Sequence, residues 1–192
     1  MKLLQINLHH SKPVSAALLL KLTSGEADIV LLQKPWINGD RICGLGTPTN
    51  YLFHASGKRK AGSCILIKKQ LIAFFLSQFS DGDITALRLE TDERSIVICY
   101  FYLAHNHPRP VPVIVISNLI RDYAIADILI GGDANAHHGI WGSSNVRGDL
   151  LYEVLDITLA SSALIEQVSQ GGLKSLVTKK KNVEQLLTMQ KG

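Results

Sequence analysis

The 192-residue chain is 46% hydrophobic and 19% charged, which excludes a disordered polyelectrolyte and suits one globular domain with a buried core. Its net charge of +4 implies no broad basic surface: residues 171–192 hold Lys174, Lys179, Lys180, Lys181 and Lys191 against Glu184, and the rest of the chain balances 15 basic with 15 acidic residues. No apolar run approaches the roughly 18 residues of a membrane span, and the opening stretch is too short and polar for a signal core, so an intracellular protein, nuclear or cytoplasmic, is expected.

In chain order, Lys2–Leu8 alternates and predicts a buried strand. Val14–Thr23, rich in Leu and Ala, predicts a helix, with Ser11 placed to cap it and Pro13 suited to its first turn. Asp28–Gln33 predicts a second apolar strand, and residues 34–50, with Pro35, Gly39, Gly44, Gly46 and Pro48, predict a long loop. Five strand-like segments follow, at Tyr51–Ala55, Ser63–Lys68, Ile72–Ser77, Ile84–Glu90 and Arg94–Leu103, with Gly57, Gly62 and Asp81-Gly82-Asp83 as turns. His105–Pro112 is a Pro-rich connection, Val113–Ala126 is assigned as helix on length, and Asp127–Gly132 as strand. Gly148–Ser162 predicts an amphipathic helix with Leu151, Val154, Leu155 and Leu159 on one face. The fold class expected is α/β, mixed sheets with helices outside. Cys43, Cys64 and Cys99 are far apart in sequence and form no CxxC pair, as expected of free thiols in a reducing compartment.

Several polar residues fall where predicted strands end: Asn7, Gln33, Tyr102, then Asp133 and Asn135. Ligand sites in α/β sheets form at such ends. If the ends converge they assemble an acid, carboxamides and a phenol, oxygen ligands of the kind that suit Mg²⁺ and phosphodiester hydrolysis. Singly, each has a duller role: Asn7 as a turn cap, Asp133 as a turn residue after Gly131-Gly132, Tyr102 as core with its hydroxyl paired.

The combination and its order carry a resemblance. Gln5-Ile6-Asn7-Leu8-His9-His10-Ser11-Lys12 is followed by Ala27-Asp28-Ile29-Val30-Leu31-Leu32-Gln33-Lys34-Pro35-Trp36, then Ile37-Asn38-Gly39 and Gly44-Leu45-Gly46. Tyr102-Leu103-Ala104-His105 comes next, and the most specific stretch is Gly132-Asp133-Ala134-Asn135-Ala136-His137-His138, with Trp141-Gly142-Ser143 and Asn145-Val146-Arg147-Gly148. Over residues 3–168 the chain resembles the endonuclease domain of arthropod non-LTR (LINE-type) retrotransposons, in the endonuclease/exonuclease/phosphatase superfamily. The resemblance implies a two-sheet β-sandwich flanked by helices and Mg²⁺-dependent nicking of target DNA, whose new 3′ end primes a reverse transcriptase carried elsewhere in the parent element. It implies that Asn7 helps bind the metal, Tyr102 contacts the phosphate, Asp133 orients the attacking water and Asn135 stabilises the phosphate as charge builds. His137 and Asn145 would face DNA.

Two departures qualify those roles. The family reads Gln-Glu-Pro-Trp where this chain has Gln33-Lys34-Pro35-Trp36, so an ammonium replaces the main metal ligand. The family also closes with an Asp-bearing strand and a Ser-Asp-His motif, whereas here no Asp follows Asp156 and no His follows His138. A domain over 1–168 lacking the last strands, a divergent basic tail over 169–192 and impaired catalysis are therefore expected. The alternatives are a non-catalytic DNA-binding remnant and a transition-metal protein using the pairs His9-His10, His105/His107 and His137-His138.

Overall fold

The computed structural model describes residues 1–55, 61–103, 113–133, 156–160 and 174–177. The first strand, β1 (Lys2–Asn7), leads into helix α1 (Lys12–Thr23) and returns as β2 (Ile29–Gln33), parallel to β1 with Asn7 opposite Gln33. Ser11 caps α1 by accepting from the Val14 N–H, and Pro13 stands in its first turn, where a missing N–H removes no helical bond.

The expected loop over 34–50 contains a small hairpin, β3 (Ile37–Asn38) with β4 (Arg41–Ile42). Next come β5 (Asn50–Phe53), β6 (Ser63–Lys68), β7 (Ile72–Phe75), a 3₁₀ turn at Ser77–Phe79, β8 (Ile84–Glu90) and β9 (Ser95–Tyr102). Helix α2 (Val113–Asp122) precedes β10 (Asp127–Asp133), which lies parallel to β9 with Asp133 opposite Tyr102. The connection His105–Pro112 lies outside the described residues.

One expectation is corrected. The helix expected over Gly148–Ser162 is, at Asp156–Ala160, a strand (β11) antiparallel to β10. The leucine spacing there fits a helical face, but the sequence is also Ile157-Thr158-Leu159, with two β-branched residues beside an open edge. Pairing with β10 gives residues 156–160 ladder hydrogen bonds along one side, and tertiary pairing overrides local propensity. A last strand, β12 (Lys174–Val177), pairs parallel to β1 and falls past the boundary expected at 168.

The strands form two five-stranded mixed sheets, ordered β12-β1-β2-β6-β5 and β11-β10-β9-β8-β7. Because side chains alternate along a strand, each sheet has two faces to cover. Leu3, Ile29, Leu31, Ile65 and Ile67 of the first sheet meet Leu87, Leu89, Ile96, Ile98, Tyr100 and Leu129 of the second in a buried layer between them. The outer face of the first sheet, through Leu4, Ile6, Val30, Leu32 and Leu66, packs on Leu18 and Leu22 of α1. That of the second, through Ala86, Val97, Cys99, Phe101 and Ile130, packs on Leu119 of α2. The result is the expected sandwich of two sheets with helices outside. No helix among the described residues is long and apolar enough to cross a membrane.

The far end of the first sheet is tied by Asp28. Its carboxylate accepts from the Lys68 ammonium (2.6 Å) and the Lys2 amide (2.6 Å), while its own backbone bonds Lys2 O and Lys68 N, so it joins β1, β2 and β6. Burial opposes ionisation of this carboxyl, but Lys68 and the Lys2 amide outweigh it and hold its pKa below the ordinary value. A lowered folded pKa contributes stability that is complete above about pH 4 and disappears as pH falls through the folded value. In urea titrations, unfolding free energy should fall between pH 5 and pH 2 more steeply for the wild type than for Asp28→Asn.

Candidate functional site

The layer between the sheets changes character along the strands. The apolar inward positions of β1, β2, β6, β8, β9 and β10 give way, at one end, to Gln5 and Asn7, Gln33, Ser63, Thr85, Tyr102 and Asp133. Register places them in rows, with Asn7, Gln33 and Ser63 across the first sheet and Tyr102 and Asp133 across the second. Gln5, Gln33, Ser63, Thr85 and Asp133 are all buried, Asp133 completely.

The two rows are joined across the gap. The Ser63 hydroxyl donates to Asp83 O (3.1 Å) and lies 3.1 Å from the Thr85 hydroxyl. The Gly62 N–H also crosses to Gly82 O, while within the second sheet the Tyr102 N–H donates to Asp83 O and the Leu103 N–H to Asp133 O. Polar groups buried this deeply need such partners, because each one left unmade costs about 1–3 kcal/mol. The network therefore fixes the separation of the sheets where the site lies.

The loops above the rows are strained. His9 (φ 50°), His10 (φ 55°) and Lys34 (φ 45°) all adopt the left-handed conformation that non-glycine residues avoid. Leu8-His9-His10-Ser11 is a tight turn closed by Ser11 N–H to Leu8 O (2.8 Å). It is fastened to the neighbouring loop by Leu8 N–H to Gln33 O (2.9 Å), His10 N–H to Lys34 O (2.8 Å) and the His10 ring, whose Nδ1 lies 2.8 Å from Pro35 O. Lys34 N–H donates to Gly62 O (2.9 Å). Several bonds thus hold three unfavourable backbones at one place.

Of the residues singled out from sequence, Asn7, Lys34, Tyr102 and Asp133 come to this end of the sandwich. Asn7 is half-buried and its Oδ1 accepts from the His9 N–H (3.0 Å). Its Nδ2 is buried and has no hydrogen-bond partner among the described residues. The Lys34 ammonium lies over the Tyr102 ring, 5.0 Å from its centroid. Asn135, His137 and Asn145 lie outside the described residues, as do His105, His107 and His138. Sequence reading passed over Gln5, Ser63 and Thr85. Each is a polar residue at an inward position of an otherwise apolar strand, and counting the alternation would have marked it.

A divalent cation such as Mg²⁺ needs converging oxygen donors that carry negative charge. Here the Asn7 oxygen is turned to a backbone N–H, and the residue after Gln33 is an ammonium. Among the described residues, no three His, Cys, Asp or Glu side chains come together. The described residues do not fit a Mg²⁺ site.

A family model, that of the endonuclease/exonuclease/phosphatase family, matches residues 4–177. The RNA-directed DNA polymerase from mobile element jockey of Drosophila funebris is 28% identical over 146 residues, 73% of this chain and 16% of that protein. Its Drosophila melanogaster counterpart is 28% identical over 148 residues, with the same two coverages of 73% and 16%. The chain thus spans only 16% of the length of the curated relatives it matches. Among solved structures, the endonuclease domain of TRAS1, a telomere-specific non-LTR retrotransposon, superposes with a TM-score of 0.67 at 18% identity, covering 85% of this chain and 86% of that one. At that identity the likeness is one of fold.

Gly132 positions Asp133 on β10. It stands opposite Phe101, and a Cβ there would lie 2.4 Å from Phe101 O and 2.7 Å from its ring. Gly132→Ala should lower unfolding free energy in urea by about 1–3 kcal/mol through overpacking. Gly46→Ala, where a Cβ meets nothing within 4 Å, should change it by less than about 0.5 kcal/mol.

Proposed function

The chain belongs to the endonuclease/exonuclease/phosphatase family, and from that membership we propose that it is the target-nicking DNA endonuclease domain of a non-LTR retrotransposon, catalytically impaired in this copy. The observation that carries the reading is the pair of rows, Asn7 with Gln33 and Tyr102 with Asp133, at the strand ends of a family-matched sandwich. The similarity to jockey elements supports the retrotransposon origin. In such an element the partners are DNA and a reverse transcriptase, which belongs to the remainder of the longer polypeptide.

In this reading Tyr102 contacts the scissile phosphate. Asp133, buried and aligned beside Tyr102 by the β9–β10 register, orients the attacking water. Asn135 stabilises the phosphate as charge develops, and His137 and Asn145 meet the DNA. Mg²⁺ is the cofactor expected from the family, whose pattern would place Asn7 among its ligands, but the Asn7 oxygen is engaged by the His9 N–H and the described residues do not fit that ion. Lys34, standing where the family has its acidic ligand, repels that ion. Impaired hydrolysis follows from that substitution and from the absence of the family's closing Ser-Asp-His motif.

The test is nicking of supercoiled plasmid by folded protein, with Mg²⁺ or with chelator. The wild type should give no chelator-sensitive nicking. Lys34→Glu should gain it by on the order of 10²-fold or more, the scale of a metal's contribution to the barrier. Asp133→Ala in the Lys34→Glu background should remove the gain. Chelator-sensitive nicking by the wild type would overturn the impairment.

A further inference from the structure

Lys34 does more than subtract a ligand. Its backbone is held in the left-handed region by Lys34 N–H to Gly62 O (2.9 Å) and by His10 N–H to Lys34 O (2.8 Å), so the root of the side chain is fixed. Lys34 is half-buried, and its ammonium lies over the face of Tyr102, 5.0 Å from the ring centroid. That ring is itself confined: Gly62 packs so closely that a Cβ there would lie 3.0 Å from Tyr102 Cδ1. Among the described residues, Lys34 forms no ion pair with a carboxylate. A fixed cation thus stands at the strand ends with its charge uncompensated by any of them.

Asn7 points the same way. A backbone N–H can only be met by the amide oxygen, so the bond from His9 fixes the orientation of the side chain. The buried atom, without a partner among the described residues, is then an N–H donor. A donor suits an anionic oxygen and opposes a metal ion. Lys34 follows Gln33, which pairs with Asn7, so both donor groups belong to one corner of the site.

We propose that Lys34 is a resident counter-cation, which with the Asn7 amide lets this site capture a nucleic-acid phosphodiester in the absence of a divalent metal. The inference rests on the nucleic-acid reading above and changes the sign of the metal's effect. In a metal-assisted site, Mg²⁺ strengthens binding. Here Mg²⁺ competes for the phosphate as any counterion does, and the ammonium repels it. The ammonium neutralises one phosphate charge through N–H donors and offers no coordination position for a water, so capture proceeds without hydrolysis.

The test is fluorescence anisotropy of a labelled duplex oligonucleotide at fixed ionic strength, in chelator and in Mg²⁺. The wild type should bind in chelator, and more weakly in Mg²⁺. Lys34→Gln should weaken binding in chelator roughly tenfold and reduce the slope of log K against log salt by about 0.9, the value of one phosphate contact. Lys34→Arg should retain the slope, and Asn7→Asp should weaken binding by placing a carboxylate against the phosphate. Lys69→Gln, at an exposed lysine on Tyr51, should retain wild-type affinity. Equal affinity and slope for wild type and Lys34→Gln, or tighter binding by the wild type in Mg²⁺, would overturn the inference and leave the nuclease-domain reading standing. No binding in either medium would overturn both. Where Lys34→Gln fails to fold by thermal melting, the response of the wild type to Mg²⁺ decides.

Discussion

Two sheets that share one inner layer must fill it, and the filling of this layer changes from hydrocarbon to hydrogen bonds over the length of a strand. At one end Leu3, Ile29, Ile67, Leu89 and Ile96 exclude water, and burial of apolar surface holds the sheets together. At the other end Ser63, Thr85 and Asp83 close the gap through hydroxyl and carbonyl groups. The apolar end supplies cohesion, while the polar end fixes the spacing and orientation at which Lys34, Tyr102 and Asp133 stand. A polar row of this kind survives only because the hydrocarbon beneath it offsets the cost of dehydrating it.

The loops extend that constraint into the site. Left-handed backbone at His9, His10 and Lys34 costs on the order of 1–3 kcal/mol each, and such conformations persist where neighbouring bonds over-determine them. The bonds between the Leu8–Ser11 turn and the Gln33–Pro35 loop do this, so the segment that carries Lys34 is rigid relative to β1 and β2. The ammonium of Lys34 therefore adds a positive charge at a point that the backbone holds in place. Fold membership rests on the sheets, while the chemistry of the site rests on the side chains at their ends.

Much of the fold was legible in the sequence because most of it is set by local chemistry. The β1–α1–β2 opening follows from alternation, a Ser cap, a first-turn proline and an apolar return strand. The strand β11 was misread as helix because Leu155 and Leu159 keep a helical spacing while Ile157 and Thr158 favour a strand. Pairing with β10 decides between them, and that pairing is not local. The strand β12 was unreadable for the same reason, since Lys174–Val177 has no signal apart from the edge of β1 that it covers. Within the site, the strand-end residues Asn7, Gln33, Tyr102 and Asp133 could be named from their positions alone. Gln5, Ser63 and Thr85 are marked by alternation as inward polar positions, but what each one faces across the gap depends on the other sheet.

The sequence by itself determined which residues end strands, which carry charge, and that a lysine follows the strand-end glutamine Gln33, because these depend on residue type and order. Only the tertiary structure decided that the ends of two separate sheets meet, that the Lys34 ammonium rests on Tyr102, and that the Asn7 amide turns its N–H inward. Those facts depend on contacts between segments distant in the chain, whose geometry is fixed by packing and backbone pairing.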